Sequence, residues 1–336
     1  MTQRARLSDV AGLAGVSIAT VSRALSNPAV VRSDTLEKIR SAIVALRYVP
    51  DGTARALASG RTRTVGAIVP TLDNSIFALA VQGLQTTLAD AGYQLLIAAH
   101  EYNPAAELAL ARALVERSID ALVLVGADHT QQTRDLVQMH GIPLLITWAI
   151  SPDYPSVGFD NRLIGELAAR HFIELGHTRF GIVSGHFRHN DRARERTAGF
   201  RQALRKAKLP LPDANIVEQP FGYEGGRAGL RVLMQMRPRP TAIFCGNDVL
   251  ALGALFEAQG MKLDVPGDVS IVGCDNLPIS SQVSPGLTTV LLPVYDLGKQ
   301  AANALLGWFG RQEPPADACL PVELVVRGTS GPCPAA

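Results

Sequence analysis

The sequence predicts an α plus α/β chain, a small three-helix head followed by a core of two doubly wound parallel α/β lobes. Three observations carry that expectation. Charge is segregated: ten of the 32 Lys/Arg but four of the 30 Asp/Glu fall within residues 1–63, so this segment holds +6 and the remainder −4, although the whole chain carries only +2. Apolar residues recur at spacings of three and four through the first fifty positions, a helical period. From residue 64 onward, short Val/Ile/Leu runs alternate with helical stretches, as in a parallel sheet covered on both faces. A chain of 336 residues exceeds one compact core, so we divide it into a head (1–50), a hinge helix and linker (51–63) and a core (64–336).

Composition narrows the class. With 47% hydrophobic and 18% charged residues, the balance is that of a globular protein. No apolar run approaches the roughly 20 residues of a membrane helix, and "MTQRARLSDV" lacks the apolar segment of a signal peptide. The expectation is a cytoplasmic protein without membrane contact. Cys245, Cys274, Cys319 and Cys333 are scattered, with neither C-x-x-C nor a histidine at metal-ligand spacing, so reduced thiols and no metal are expected.

In the head, "LSDVAGLA" places Val10, Ala11 and Ala14 on one helical face, Gly15 makes a tight turn, and Ser17 caps a second helix. That second helix turns Val21, Ala24 and Leu25 inward and presents Ile18, Ala19, Ser22 and Arg23 outward. So sparse an outer face, with one long cation, suits helix-turn-helix geometry, in which a second helix enters a major groove about 12 Å wide. A third helix, expected to be capped by Ser33, brings Leu36, Ile39, Ile43 and Leu46 to the same core. In the linker "YVPDGTARALASGRTRT", residues 53–59 suffice for one or two helical turns, too few to be stable alone in water. It reads either as a segment ordered on DNA, with Leu57 among Arg55, Arg61 and Arg63, or as a flexible tether.

In the core, strands are expected at 65–69, 94–98, 121–125 and 144–148, then at 180–183, 242–245, 270–273, 288–292 and 323–326. They fall into two sets separated by "SVGFDN", hence two lobes facing a cleft. An enzyme could use such a cleft, but G-x-G-x-x-G after the first strand, a P-loop, G-x-S-x-G and H-E-x-x-H are all missing from the sequence. His177, in "LGHTRF", reads as a structural histidine at a helix-to-strand turn.

The run from "LSDVAGLAGVSIATVSRAL" to "RTRTVG", followed by "NDRARERTAGF", "PTAIFCGNDVLALGAL", "DVSIVGCDN" and "GLTTV", resembles the lactose/galactose repressor (LacI/GalR-type) family of bacterial transcriptional regulators across essentially the whole chain. The resemblance implies a homodimeric repressor that binds a palindromic operator, with a core like periplasmic sugar-binding proteins and a small-molecule effector in its cleft. It implies DNA contacts from Ser17, Ile18, Ala19, Thr20, Ser22 and Arg23, with Arg55 and with Leu57 as a minor-groove wedge. It implies effector contacts from Arg196, Asn247 and Asp275, with Asp160 as a further polar group and Phe77, Trp148 and Phe221 as aromatic walls. Arg196 and Asp275 could instead pair with each other, and Trp148 could belong to the core. A sugar, sugar acid or polyol is the expected effector, with no other cofactor. An exported solute-binding protein or an enzyme would share the lobes, but neither accounts for the basic head.

Overall fold

The computed structural model describes residues 5–49 and 60–334. It divides into two compact units, Met1–Arg63 and Thr64–Ala336. The first contains α1 (Leu7–Ala14), α2 (Ile18–Ser26) and α3 (Ser33–Ala45). Gly15 closes α1 at φ 66°, a left-handed conformation that glycine adopts without steric cost. Val16 N–H then donates back to the Ala11 carbonyl at 3.0 Å, completing a Schellman-type stop. Ser17 caps α2 as expected, its Oγ accepting from Thr20 N–H at 3.2 Å. Ser33 does not cap α3: it is the first helical residue, and Arg32 stands at the cap position without a side-chain bond. Val10, Ala11, Ala14, Val21, Ala24, Ile39 and Ala42 form the buried centre of this unit.

The second unit begins with β1 (Thr64–Val69), α4 (Ser75–Asp90), β2 (Gln94–Ala99), α5 (Pro104–Glu116), β3 (Ala121–Val125), α6 (Gln131–Met139), β4 (Leu144–Thr147) and β5 (Ser156–Gly158). It continues through α7 (Asn161–Glu174), β6 (Phe180–Gly185), α8 (Asp191–Lys206), β7 (Ile216–Gln219), α9 (Tyr223–Gln235), β8 (Ala242–Cys245), α10 (Asp248–Gly260) and β9 (Ser270–Asp275). The last elements are β10 (Thr288–Leu291), α11 (Val294–Arg311), β11 (Ala318–Cys319) and β12 (Glu323–Val325).

Two six-stranded sheets result, ordered β11-β5-β4-β3-β1-β2 and β12-β10-β9-β8-β6-β7. All pairings are parallel except β10 with β12. The order reverses around β1/β3 in one lobe and β6/β8 in the other, and ligands of open α/β sheets bind beyond the carboxyl ends of strands at such switch points.

The lobes are not the two contiguous halves that the strand pattern suggests. After β10 the chain returns to the first lobe, where β11 pairs with β5, and then crosses back to supply β12 to the second. The short strands β5, β7 and β11, of three, four and two residues, have too few positions to show a period. Beneath the second sheet, α7 and α8 cross closely because Gly165 lies against the Arg196 carbonyl, where a Cβ would overlap it. That close crossing fixes the height at which the Arg196 side chain leaves α8.

Candidate functional site

On α2, packing of Val21 and Ala24 leaves the opposite face in solvent. Ser17, Ile18, Ala19, Ser22 and Arg23 are exposed, Thr20 is half-buried with its hydroxyl 2.8 Å from that of Ser17, and Ile18 exposes 52% of its surface. Arg23 Nε donates to the Ala19 carbonyl one turn earlier at 3.3 Å. Two further expected DNA contacts, Arg55 and Leu57, lie outside the described residues.

In the core, loops following the carboxyl ends of strands from both sheets enclose a cleft of about 450 Å³, open solvent at its mouth included. Six residues singled out from the sequence meet here: Phe77, Trp148, Arg196, Phe221, Asn247 and Asp275. Phe77 and Trp148 pack with ring centroids 5.2 Å apart, and Phe221 lies 5.5 Å from Tyr102. Trp148 is both buried in the lobe core and part of the cleft wall. Asp160 is not brought in. It is exposed and caps α7, its Oδ1 accepting from Leu163 N–H at 3.0 Å, so its carboxylate is engaged at the helix start.

Arg196 is 7% exposed. Its Nε donates to Asn161 Oδ1 at 3.0 Å and its Nη1 to the Gly246 carbonyl at 2.6 Å. Asn161 is held in turn by its Nδ2 bond to the Trp148 carbonyl at 2.9 Å, so the guanidinium is positioned through a chain of buried bonds. No described carboxylate forms an ion pair with Arg196, which sets aside simple pairing with Asp275. Asp275 and Asn276 have φ of 130° and 55°, left-handed values uncommon for side-chain-bearing residues. Buried Asp248 supports this turn, accepting from Leu277 N–H at 2.9 Å and Ser280 Oγ at 2.6 Å, while Arg327 Nη2 donates to Asn276 Oδ1 at 2.7 Å. Burial lifts the Asp275 carboxyl well above the ordinary carboxylate range, against the pull of Arg196. It also pushes the Tyr102 hydroxyl up to about 12.

Asn74, Tyr102, Asn190 and Arg192 also line the cleft, and the sequence reading did not select them. Asn190 carried a signal: like Asn247, it stands in an Asn-Asp pair at a helix start, and both asparagines cap helices at one cleft. Arg192 bridges the lobes, its Nη1 bonding the Val125 carbonyl at 3.2 Å and Asp191 Oδ1 at 3.1 Å. Asp191 crosses the same gap by accepting from Ala127 N–H at 2.9 Å, and Arg194 does so by pairing with Asp128. Among the described residues, no group of three or more His, Cys, Asp or Glu is placed to hold a metal, and no helix is long and apolar enough to cross a membrane.

Residues 6–51 match the family described as bacterial regulatory proteins, lacI family, and residues 169–330 match a periplasmic binding protein-like domain. Catabolite control protein A of Priestia megaterium is 31% identical over 306 residues, spanning 90% of this chain and 92% of that protein. The HTH-type transcriptional repressor PurR of Vibrio parahaemolyticus is 34% identical over 305 residues, spanning 90% and 91%. The lac repressor dimer bound to operator and the anti-inducer ONPF superposes with a TM-score of 0.86 at 27% identity, over 98% of this chain and 100% of that one. With a capped helix-turn-helix unit ahead of two lobes that enclose a polar cleft, the chain belongs to the lacI family of bacterial regulatory proteins and is a DNA-binding transcriptional regulator.

Proposed function

We propose that this regulator is a repressor that binds a palindromic operator as a homodimer and is switched by a small metabolite in the inter-lobe cleft. The observation that carries the reading is the outer face of α2, where Ile18, Ala19 and Arg23 are exposed on a helix anchored by a Ser17 cap. Arg23 is the group that can bond bidentately to guanine, whereas Ile18 and Ala19 offer apolar contact, for instance to a thymine methyl. Ser17, Thr20 and Ser22 supply hydroxyls for phosphates or bases beside them. Arg55 and the Leu57 wedge complete the reading from outside the described residues.

Phe77, Trp148 and Phe221 supply apolar walls, and Arg196, Asn247 and Asp275 supply polar anchors, a set suited to a sugar, sugar acid or polyol. The anchors are fixed by caps and backbone bonds, as suits a receptor rather than a catalyst. Because Arg192, Asp191 and Arg194 already join the lobes, a ligand seated beside them changes the relative stability of lobe arrangements, the requirement for a switch. The protein acts where its DNA is, in the cytoplasm. Footprinting with DNA flanking the gene tests the reading: the expected result is a protected palindrome whose half-sites lose protection with Arg23→Ala, and equal loss on random DNA would reduce Arg23 to a phosphate contact.

A further inference from the structure

The inter-lobe bonds from the start of α8 all end on one short stretch of the first lobe, the end of β3 and the loop 126–129 that follows it. Ala127 N–H donates to Asp191 Oδ2 at 2.9 Å, Asp128 pairs with Arg194, and Arg192 bonds the Val125 carbonyl. The Arg192 guanidinium lies so close to Gly126 that a Cβ there would overlap it, and Gly126 has a left-handed φ of 83°.

A buried base and a buried acid support this loop from behind. His129 places Nε2 2.8 Å from the Gly126 carbonyl, and Nδ1 3.1 and 3.0 Å from the two carboxylate oxygens of Glu107 on α5. The two side chains are only 3% and 6% exposed, and neither residue lines the cleft. Both ring nitrogens therefore face acceptors. A neutral imidazole has one N–H and can serve only one of them, whereas an imidazolium serves both. The near-equal approach of two oxygens to Nδ1 fits an N–H shared by a carboxylate better than a single carboxyl O–H donated to nitrogen.

The neighbouring groups leave that proton to the pair. His100 Nε2 stands 3.9 Å from Glu107, but burial lowers its pKa against the pull of Glu107 and favours its neutral form. Arg134 bonds the His129 backbone carbonyl and pairs with Asp153, while Arg192 pairs with Asp191 and Arg194 with Asp128. Glu101 acts on His100 from the next position, and Tyr102 packs against the His100 ring.

We propose that Glu107 and His129 are positioning residues for the switch: as a buried carboxylate–imidazolium pair they hold the loop that receives α8, and so set how readily the lobes close. This rests on lobe closure being the response to the effector. Removing the charge of Glu107 leaves His129 one N–H for two acceptors, the loop loses a bond, and the ties to α8 loosen although no cleft-lining residue has changed.

Two measurements on the full-length protein test the proposal, and neither contains effector or DNA. In the wild type, nitrogen NMR of His129, assigned through its own backbone amide, should show a proton on both ring nitrogens at about pH 7.5; a single protonated nitrogen would overturn the pair. Hydrogen exchange then reads the Ala127 amide, whose partner lies on the other lobe. Glu107→Gln keeps the shape and an acceptor but not the charge, and should speed that exchange roughly tenfold or more relative to wild type at the same pH, with β1 and α10 unchanged. Acidification from about pH 8 to about 6 should restore wild-type protection in Glu107→Gln, because a protonated His129 again donates from both nitrogens, and should not restore it in His129→Gln. Unchanged Ala127 exchange, equal acceleration in β1 and α10, or acceleration that acid does not reverse would each overturn the proposal. Such a failure would leave the cleft an effector site, whereas a protein that answers to no small molecule would strike that reading and leave the brace on the loop in place.

Discussion

The outer face of α2 and the wall of the cleft place their side chains in opposite senses with respect to water. In the head, Ile18 is exposed and the polar groups beside it are few. In the cleft, an arginine, an asparagine and an aspartate, Arg196, Asn247 and Asp275, are buried together at exposures of 7%, 5% and 6%. An isolated protein places apolar groups inward and charges outward. Under the function proposed above, each departure belongs to a surface completed by something else: a groove with methyl groups and acceptors for the first, a polar small molecule for the second. The supports differ too. The head face is held by local bonds spanning three or four residues, such as Ser17 to Thr20, whereas the cleft is held by bonds between distant segments, such as Arg196 to Gly246.

The largest expected effect falls on the cleft. Asp275→Ala removes its carboxyl, and losing bonds between charged or strongly polar groups costs about 1.5–3 kcal/mol, so the effector concentration needed for a response should rise roughly ten- to a hundredfold or more. The measurement is operator affinity with and without the bound metabolite; a wild-type ratio would mean that the cleft holds its ligand elsewhere. Next is Arg23→Ala, which should weaken operator binding by about 1–3 kcal/mol and relax selection at one base pair per half-site. Its exposure predicts an unchanged unfolding transition, so a lowered Tm would break the assignment of that face to DNA.

Ser17→Ala should cost about 1 kcal/mol through loss of the α2 cap. Because that bond lies wholly within the head, calorimetry should show a shift confined to the head, and an equal shift in both units would show that they unfold together.

The smallest effect is a pH dependence that separates the units. Residues 1–63 contain no histidine, whereas buried His177 donates from Nε2 to the Gly331 carbonyl at 3.1 Å, and Nδ1 lies 2.9 Å from the Thr241 hydroxyl. Burial lowers its pKa from the ordinary value near 6.5. The folded state therefore binds a proton less readily than the unfolded chain, and the contribution is present above about pH 6.5 and lost as pH falls toward the folded pKa. His100 and His171 are lowered by burial in the same direction. The stability of the core against unfolding should fall on acidification from pH 7.5 to about 5.5 while that of the head changes little, and His177→Gln should flatten part of the core's slope. A slope unaffected by His177→Gln would remove this histidine from the account.

Sequence alone determined what short-range physics controls. The inward triplet of α1, the Gly15 stop, the Ser17 cap and the outward Ile18, Ala19 and Arg23 are each decided within one or two helical turns, and the apolar runs of the longer strands are visible because burial on both sheet faces leaves little choice of residue. Ser33 shows the limit of this reasoning, since a residue able to cap can equally stand at the first helical position. The composition of the cleft required the tertiary structure. A parallel sheet gathers the carboxyl ends of its strands along one edge, so Asn74, Tyr102, Trp148, Asn190, Phe221, Asn247 and Asp275 meet although they are spread over some two hundred positions. Which of them turn inward depends on backbone conformations invisible in composition, such as φ of 65° at Trp148 and 130° at Asp275. Asp160 has suitable chemistry and a nearby place in the chain, yet it caps α7 instead, because a helix start offers its carboxylate a bond within three residues.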